Sequence, residues 1–293
     1  MIQSMAKKSI PTLRACLGEA LGTYLLVLFG TGAVAASVYS GAQVGLWQVA
    51  AVWGFGVSIA IYVTAAISGA HLNPAVTLAF AIFRGRDFPF SLVLPYWAAQ
   101  LAGAVLAGLT IFWTYGVLIE RFEAERSIVR GESGSELSAM GFGEYFPNPA
   151  LFGTGAPAEE LVSPLQAAAV EGFGTAILVI VIFAITDRRN FAGPGNRLGP
   201  FFIGFTLAVL ISLFAPLTQA GWNPARDFGP RIVAYFAGWG DIAIPGPRSG
   251  FWVYIIGPLA GGLIGAIFYD RVVRPVLHSL APSGSESSDG GPA

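Results

Sequence analysis

The chain has 293 residues, of which 54% are hydrophobic and only 11% charged, with a mean hydropathy of +0.65 and a formal net charge of −1. Water-soluble domains carry about 25% charged residues, so the composition excludes a soluble globular protein and describes a polytopic membrane protein with no basic excess for nucleic acid. The lone Cys16 excludes an intrachain disulfide and any cysteine-based metal or redox pair, and His71 and His278 have no nucleophile–base or ligand constellation around them, so neither an enzyme nor a cofactor is expected.

The first segment, MIQSMAKKSIPTLRACLGEALGTYLL, has the outline of a signal peptide. Glu19 interrupts its apolar run, however, and no small-x-small cleavage site follows, so it is read as a retained first helix. Windows of about 20 apolar residues then give six spans, near 14–38, 46–67, 90–118, 164–186, 199–217 and 251–272. The segment 119–163 between the third and fourth spans holds eight acidic residues against Arg121, Arg126 and Arg130. Basic residues concentrate on the opposite side (Lys7, Lys8, Arg14, Arg84, Arg86, Arg188, Arg189, Arg197, Arg271 and Arg274), a bias that places both termini in the cytoplasm. The tail SLAPSGSESSDGGPA is Ser-, Gly- and Pro-rich, and its last part, 281–293, is expected to be disordered.

Two apolar pieces are too short to span. NPAVTLAFAIF, Asn73 to Phe83, covers roughly 16 Å as a helix, about half the hydrocarbon thickness. The second runs from Asn223 to about Ala237. Each follows a full span and a Gly- or Ser-containing elbow, and each opens with Asn-Pro, which combines an N-cap with proline at the first helical position. Both are therefore half-helices rather than surface loops, and Pro224 starts a helix instead of breaking one.

The chain is also self-similar. GEALGTYLLVLF (18–29) matches VEGFGTAILVIV (170–181), and GFGVSIAIYVTAAISGAHLNPAV (54–76) matches GFTLAVLISLFAPLTQAGWNPAR (204–226). The fold is thus a single domain over 1–280, with a first repeat at about 14–118, a second at about 164–274 and a connecting loop at 119–163. Each repeat holds three spans, an odd number, so the second is inverted and the two half-helices meet, N-terminus to N-terminus, at the midplane. Each terminus carries about half a positive charge, so the centre repels cations. The elbows SGAHL and TQAGW are non-helical backbone at membrane depth and must line a polar cavity. Glu19 and Glu171, at matching positions within spans, need partners, and the elbow N–H groups are the expected donors. Asn-Pro-Ala recurs a third time at Asn148 to Ala150, with no preceding span and no repeat partner; it reads as a turn in the loop.

SGAHLNPAV (68–76) and NPARDFGPR (223–231), set in this inverted repeat, resemble the major intrinsic protein (aquaporin) family, and most closely its glycerol facilitator branch, over roughly Leu13 to His278. The resemblance implies an all-α membrane fold of six transmembrane helices and two re-entrant half-helices, assembled as a homotetramer with one pore per subunit. Exclusion of ions and protons is a known property of aquaporin-type pores. Asn73, Pro74 and Ala75 with Asn223, Pro224 and Ala225 would form the pore centre, the two asparagine amides donating to the solute. Carbonyls of Gly69, Ala70, His71, Gly221 and Trp222 would line the path. Arg226 would stand at the outer constriction, its charge met by water and neighbouring carbonyls, with Trp53 as an apolar wall. Asp227, a mark of the glycerol branch together with the long third loop, would be a supporting residue alongside Glu19 and Glu171.

The filter departs from the glycerol facilitator pattern. The fifth-span position, glycine there, is Ile211, and the aromatic three residues before the second Asn is Ala220. The set Trp53, Ile211, Ala220 and Arg226 is similar to that of plant nodulin-type intrinsic proteins, linked to glycerol, water and uncharged metalloid acids. The leading expectation is a passive channel for glycerol and other small uncharged polyols in the cell's inner membrane, with some water conducted. The alternatives are a water- or metalloid-preferring channel of the same fold (arsenous or boric acid, urea) and an ion-coupled secondary transporter, which would need free ionisable groups at the midplane.

Overall fold

The computed structural model describes residues 12–280, and all of its regular elements are helical. The tail expected to be disordered, 281–293, lies outside the described residues, as do Lys7 and Lys8. The first repeat comprises α1 (Thr12–Ser40), α2 (Leu46–Ser68), the half-helix α3 (Pro74–Phe83) and α4 (Val93–Glu125). Three one-turn helices punctuate the connecting loop: α5 (Glu136–Ala139), α6 (Pro149–Phe152) and α7 (Ala156–Glu159). The second repeat comprises α8 (Pro164–Thr186), α9 (Gly195–Thr218), the half-helix α10 (Pro224–Ala234) and α11 (Val253–Phe268). A π-helical turn, Tyr269–Val273, leads on to α12 (Arg274–Leu280). Among the described residues six helices are long and apolar enough to cross a membrane.

The six expected spans are present, and the helix ends at Glu125 and Ala234 differ from those expected. α4 runs to Glu125 instead of stopping near 118, because its last two turns carry charges that suit water and pair along the helix: Arg121 Nε donates to Glu125 at 2.7 Å, four residues on. α10 ends at Ala234, short of the expected 237, where the chain widens into a π-helical turn (Tyr235–Trp239) broken by Gly238 at φ 106°.

α1 packs on α2 and α4, and α8 on α9 and α11, so each repeat forms its own three-span unit. The units join along α2 and α9 and exchange their half-helices. α10 lies mainly on α4, while α3 lies mainly on α11. At the α2–α9 seam the repeat-equivalent Gly54 and Gly204 touch backbone to backbone. A Cβ on Gly204 would fall 2.1 Å from the Gly54 carbonyl oxygen, so no larger residue fits. The far end of α3 is tied across as well. The Arg84 guanidinium donates twice to Asp270, at 2.8 Å each, and lies 4.1 Å over the Phe183 ring.

The connecting loop departs most from its sequence. Its acidic content suggests a solvated segment, yet every residue from Ser138 to Pro149 is buried. Phe142, Met140 and Tyr145 pack with Tyr39 and Trp239 into a core of their own, and Tyr39 Oη donates to the Ser138 carbonyl at 2.6 Å. This part of the loop is a plug seated on the helix bundle.

Candidate functional site

Proline after asparagine fixes where each half-helix begins. Asn73 Oδ1 accepts from Ala75 N at 2.8 Å, and Asn223 Oδ1 accepts from Ala225 N at 3.1 Å and Arg226 N at 3.2 Å. Pro74 and Pro224 occupy first-turn positions whose N–H would have had no helical partner. The two asparagines also bridge the repeats. Asn73 Nδ2 donates to the Trp222 carbonyl at 2.9 Å and Asn223 Nδ2 to the Leu72 carbonyl at 2.8 Å. An amide nitrogen carries two hydrogens, so each asparagine keeps one for the cavity that both side chains border.

The elbows before these caps are strained in register. Ala70 (φ 52°) and Leu72 (φ 53°) match Ala220 (φ 68°) and Trp222 (φ 46°), all left-handed without being glycine, at a cost on the order of 1–3 kcal/mol each. The two span glutamates hold them. Glu19 accepts from His71 N (3.0 Å), Leu72 N (2.7 Å), Ser68 Oγ (2.6 Å) and Gln100 Nε2 (2.8 Å). Glu171 accepts from Gly221 N (3.0 Å) and Trp222 N (2.6 Å). With the elbow N–H groups turned back to these carboxylates, the opposite edge of each elbow faces a cavity of ≈ 530 Å³. Gly69, Ala70, His71, Gly221 and Trp222 line it. So do the aliphatic Leu26, Val57, Ile61, Leu178, Ile203 and Leu207, with Thr186, Gly199 and Pro200. Pro74, Ala75, Pro224 and Ala225 are buried within the half-helix starts, and of each triplet the asparagine borders the cavity.

Trp53, Ile211, Ala220 and Arg226 close one end of the cavity together. Gly30 makes room for the tryptophan, since a Cβ there would overlap the indole at 2.1 Å. The Arg226 guanidinium lies 4.4 Å over that ring, within cation–π range. Its main partner corrects the expectation of water and carbonyls: Arg226 Nη2 is in direct contact with the carboxyl group of Glu144, from the buried loop. Arg226 Nη1 has no hydrogen-bond partner in the protein. Beyond this constriction a second cavity of ≈ 200 Å³ opens on the loop side. Trp53, Ile211 and Arg226 border both cavities, and Glu144, Asn148 and Gln219 border only the second.

Asp227 fixes Glu144 in turn. Fully buried, it accepts from Glu144 N at 2.7 Å through one oxygen and from Arg231 Nε at 2.7 Å through the other. Arg231 donates onward to the carbonyls of Glu144 and, at 2.8 Å, Ala243. Burial pushes the Glu144 carboxyl up to about 8, against the downward pull of the adjacent Arg226. Gln219 adds two more ties, its Oε1 accepting from Tyr145 N at 2.8 Å and its Nε2 donating to the Met140 carbonyl at 3.4 Å.

Glu144, Gln219 and Arg231 were not singled out from the sequence, and Asn148 was read only as part of a turn. The available signal was the string GFGEYFPNPA, a lone acid among Gly, Pro and aromatics, which is unlike a solvated loop. Asn148 does more than turn the loop: it caps α6, with Ala150 N donating to Oδ1 at 3.0 Å.

The geometry is a cavity lined by elbow backbone, two asparagines and aliphatic side chains, with a cation at the constriction that separates it from the loop-side cavity. Comparison with known proteins agrees. The family model described as "Major intrinsic protein" matches residues 6–269. The glycerol uptake facilitator protein of Pseudomonas aeruginosa is 45% identical over 271 residues, 91% of each chain. The protein of the same name from Escherichia coli K12 is 42% identical over 260 residues, 88% of this chain and 87% of the relative. A propanediol uptake facilitator of Citrobacter freundii is 43% identical over 260 residues, 88% of this chain and 91% of the relative. An X-ray structure of the aquaglyceroporin from Plasmodium falciparum superposes with a TM-score of 0.77 at 26% identity, covering 92% of this chain and 99% of that one.

Proposed function

The chain belongs to the major intrinsic protein family, and from that premise we propose that it is a passive transmembrane channel for glycerol and other small uncharged polyols, conducting some water and excluding ions and protons. It is a channel and not an enzyme. The observation that carries the reading is the mixed lining of the cavity, elbow backbone and asparagine amides together with aliphatic side chains. Elbow carbonyls and the free hydrogens of Asn73 and Asn223 meet a polyol's hydroxyls, while the aliphatic side chains meet its carbon backbone. At the constriction Arg226 Nη1 offers a donor that no protein group takes. A cation approaching from either side meets the Arg226 charge or the two half-helix N-termini, each about half a positive charge.

Ile211 and Ala220 support a second reading within the same fold. With an aliphatic group where glycine is expected and a methyl where an aromatic is expected, the filter favours compact uncharged solutes such as urea or metalloid acids. Glycerol, urea, arsenous acid and water permeabilities measured in one proteoliposome preparation separate the two. Glycerol permeability at the lipid background would end the polyol reading. Replacing Ala220 with Phe is expected to slow the bulkier solutes first, and an unchanged profile would remove Ala220 from the filter. The same reading includes a homotetramer with one pore per subunit, located in the cell's inner membrane with both termini cytoplasmic. Chemical cross-linking and accessibility labelling of single introduced cysteines test these points.

A further inference from the structure

Asn148-Pro149-Ala150 is the one Asn-Pro-Ala triplet that the pore does not use. Its asparagine nevertheless bonds as the pore asparagines do. Oδ1 caps its own helix, and Nδ2 reaches a distant backbone carbonyl, that of Ala215, at 3.1 Å. Its backbone N–H adds a third bond, to the Pro216 carbonyl at 3.1 Å. Two donors of one loop residue therefore land on consecutive carbonyls in the last turn of α9.

That turn is a weak one. Pro216 lies inside the helix and has no N–H, so the Ser212 carbonyl lacks its donor from four residues on. The helix then ends at Gln219 in a left-handed conformation, φ 58°. Ile211 stands one turn before the clamped carbonyls, and Ala220 follows the helix end directly. Both border the constriction. Asn148 itself borders only the loop-side vestibule, so it acts on solute choice through α9.

We propose that Asn148 is a positioning residue of the selectivity filter, whose two bonds to α9 hold Ile211 and Ala220 at the constriction. The proposal rests on the channel reading above, and it assigns the buried loop a part in solute choice.

Asn148→Ser tests it, because serine keeps the helix cap and loses only the amide donor to Ala215. Glycerol and erythritol permeabilities are measured in proteoliposomes for the wild type, Asn148→Ser, Ile211→Gly and the double variant. One lost hydrogen bond corresponds to a shift of about five-fold. The erythritol-to-glycerol ratio is expected to rise by about that factor in Asn148→Ser and not to rise further in the Ile211→Gly background. An unchanged ratio, or an equal rise in both backgrounds, overturns the proposal.

Pro216→Ala restores the missing N–H in α9 and is expected to bring the Asn148→Ser ratio back toward wild type. Amide hydrogen exchange of the detergent-solubilised protein reads the clamp without transport. Residues 212–220 are expected to exchange about five-fold faster in Asn148→Ser, with α1 unchanged, and equal rates in this segment refute the clamp. If the wild type conducts no glycerol, the channel reading fails and exchange alone decides the clamp.

Discussion

Asp227→Asn alters one atom of a fully buried side chain at nearly constant shape, so its cost isolates electrostatics and hydrogen bonding from packing. The carboxylate has an acceptor on each side, one for Glu144 N and one for Arg231 Nε, both at 2.7 Å. The amide has a single acceptor and must turn its nitrogen toward one of the two donors. If that nitrogen faces Glu144, a buried N–H loses its partner, at about 1–3 kcal/mol. Facing Arg231 instead, it brings donor against donor beside a buried cation. In both orientations the Arg231 side chain, 2% exposed, loses the countercharge of Asp227, and breaking one side of a buried pair costs about 3–5 kcal/mol. A destabilisation of about 3–5 kcal/mol is therefore expected. Adding Arg231→Met removes the stranded cation, so the double variant should lose at least about 2 kcal/mol less than the two single losses combined. Equilibrium unfolding in mixed micelles with increasing SDS, followed by tryptophan fluorescence, gives all four corners of the cycle. Asp227→Asn within about 1 kcal/mol of wild type, or strictly additive losses, would refute this account of the pair.

The elbows give a graded comparison. Each Glu19 oxygen accepts two donors and each Glu171 oxygen accepts one, so Glu19→Gln strands two donors and Glu171→Gln one, at about 1–3 kcal/mol apiece. The same unfolding assay should rank Glu19→Gln as the costlier, and the reverse order would be evidence against the donor count. Because burial raises the Glu144 carboxyl to about 8, raising the pH on the loop side through that value ionises it. The new carboxylate competes with solute hydroxyls for the Arg226 donors. Glycerol permeability should fall across pH 7–9 in the wild type and stay flat in Glu144→Gln; a rise, or the same profile in both, contradicts the assignment. Arg226→Ala removes the only side-chain cation bordering the constriction among the described residues. It should raise proton leak in a pH-jump assay, and no change would leave rejection to the helix termini alone.

The architecture was legible because local signals and the repeat agree. Asn-Pro marks both half-helix starts, the matching spacing of Glu19 and Glu171 marks the elbow supports, and inversion brings Asn73 and Asn223 together. Helix ends were less legible at Glu125, where paired charges carry α4 past its apolar run, and at Ala234, where a π-helical turn follows without any change in hydropathy. The loop-side half of the site was missed for a different reason. Glu144, Gln219 and Arg231, and the part of Asn148 beyond a turn, act through contacts between a loop and a distant helix end, and no periodicity records those. Composition was no guide there, since seven of the eight acids of the loop lie outside the buried string Ser138 to Pro149 and only Glu144 lies within it. Arg231 reads as an ordinary basic residue at the end of a half-helix until its carboxylate partner and three aromatic rings, Tyr145, Phe251 and Tyr254, are seen around it.

The crossed seating of the half-helices sets an order on biosynthesis. α3 leaves the ribosome with the first repeat, but the surface it mainly rests on belongs to α11, the last span to be made. Until α11 arrives, a ten-residue apolar helix, too short to cross the bilayer, must wait at its edge with only part of its seat complete. α10 has no such delay, because α4 already stands in the membrane when it emerges. A chain truncated before α11 should therefore insert its earlier spans normally and still lack a finished first elbow, so that the carboxy-terminal span closes a pore whose first wall was laid down at the amino-terminal end.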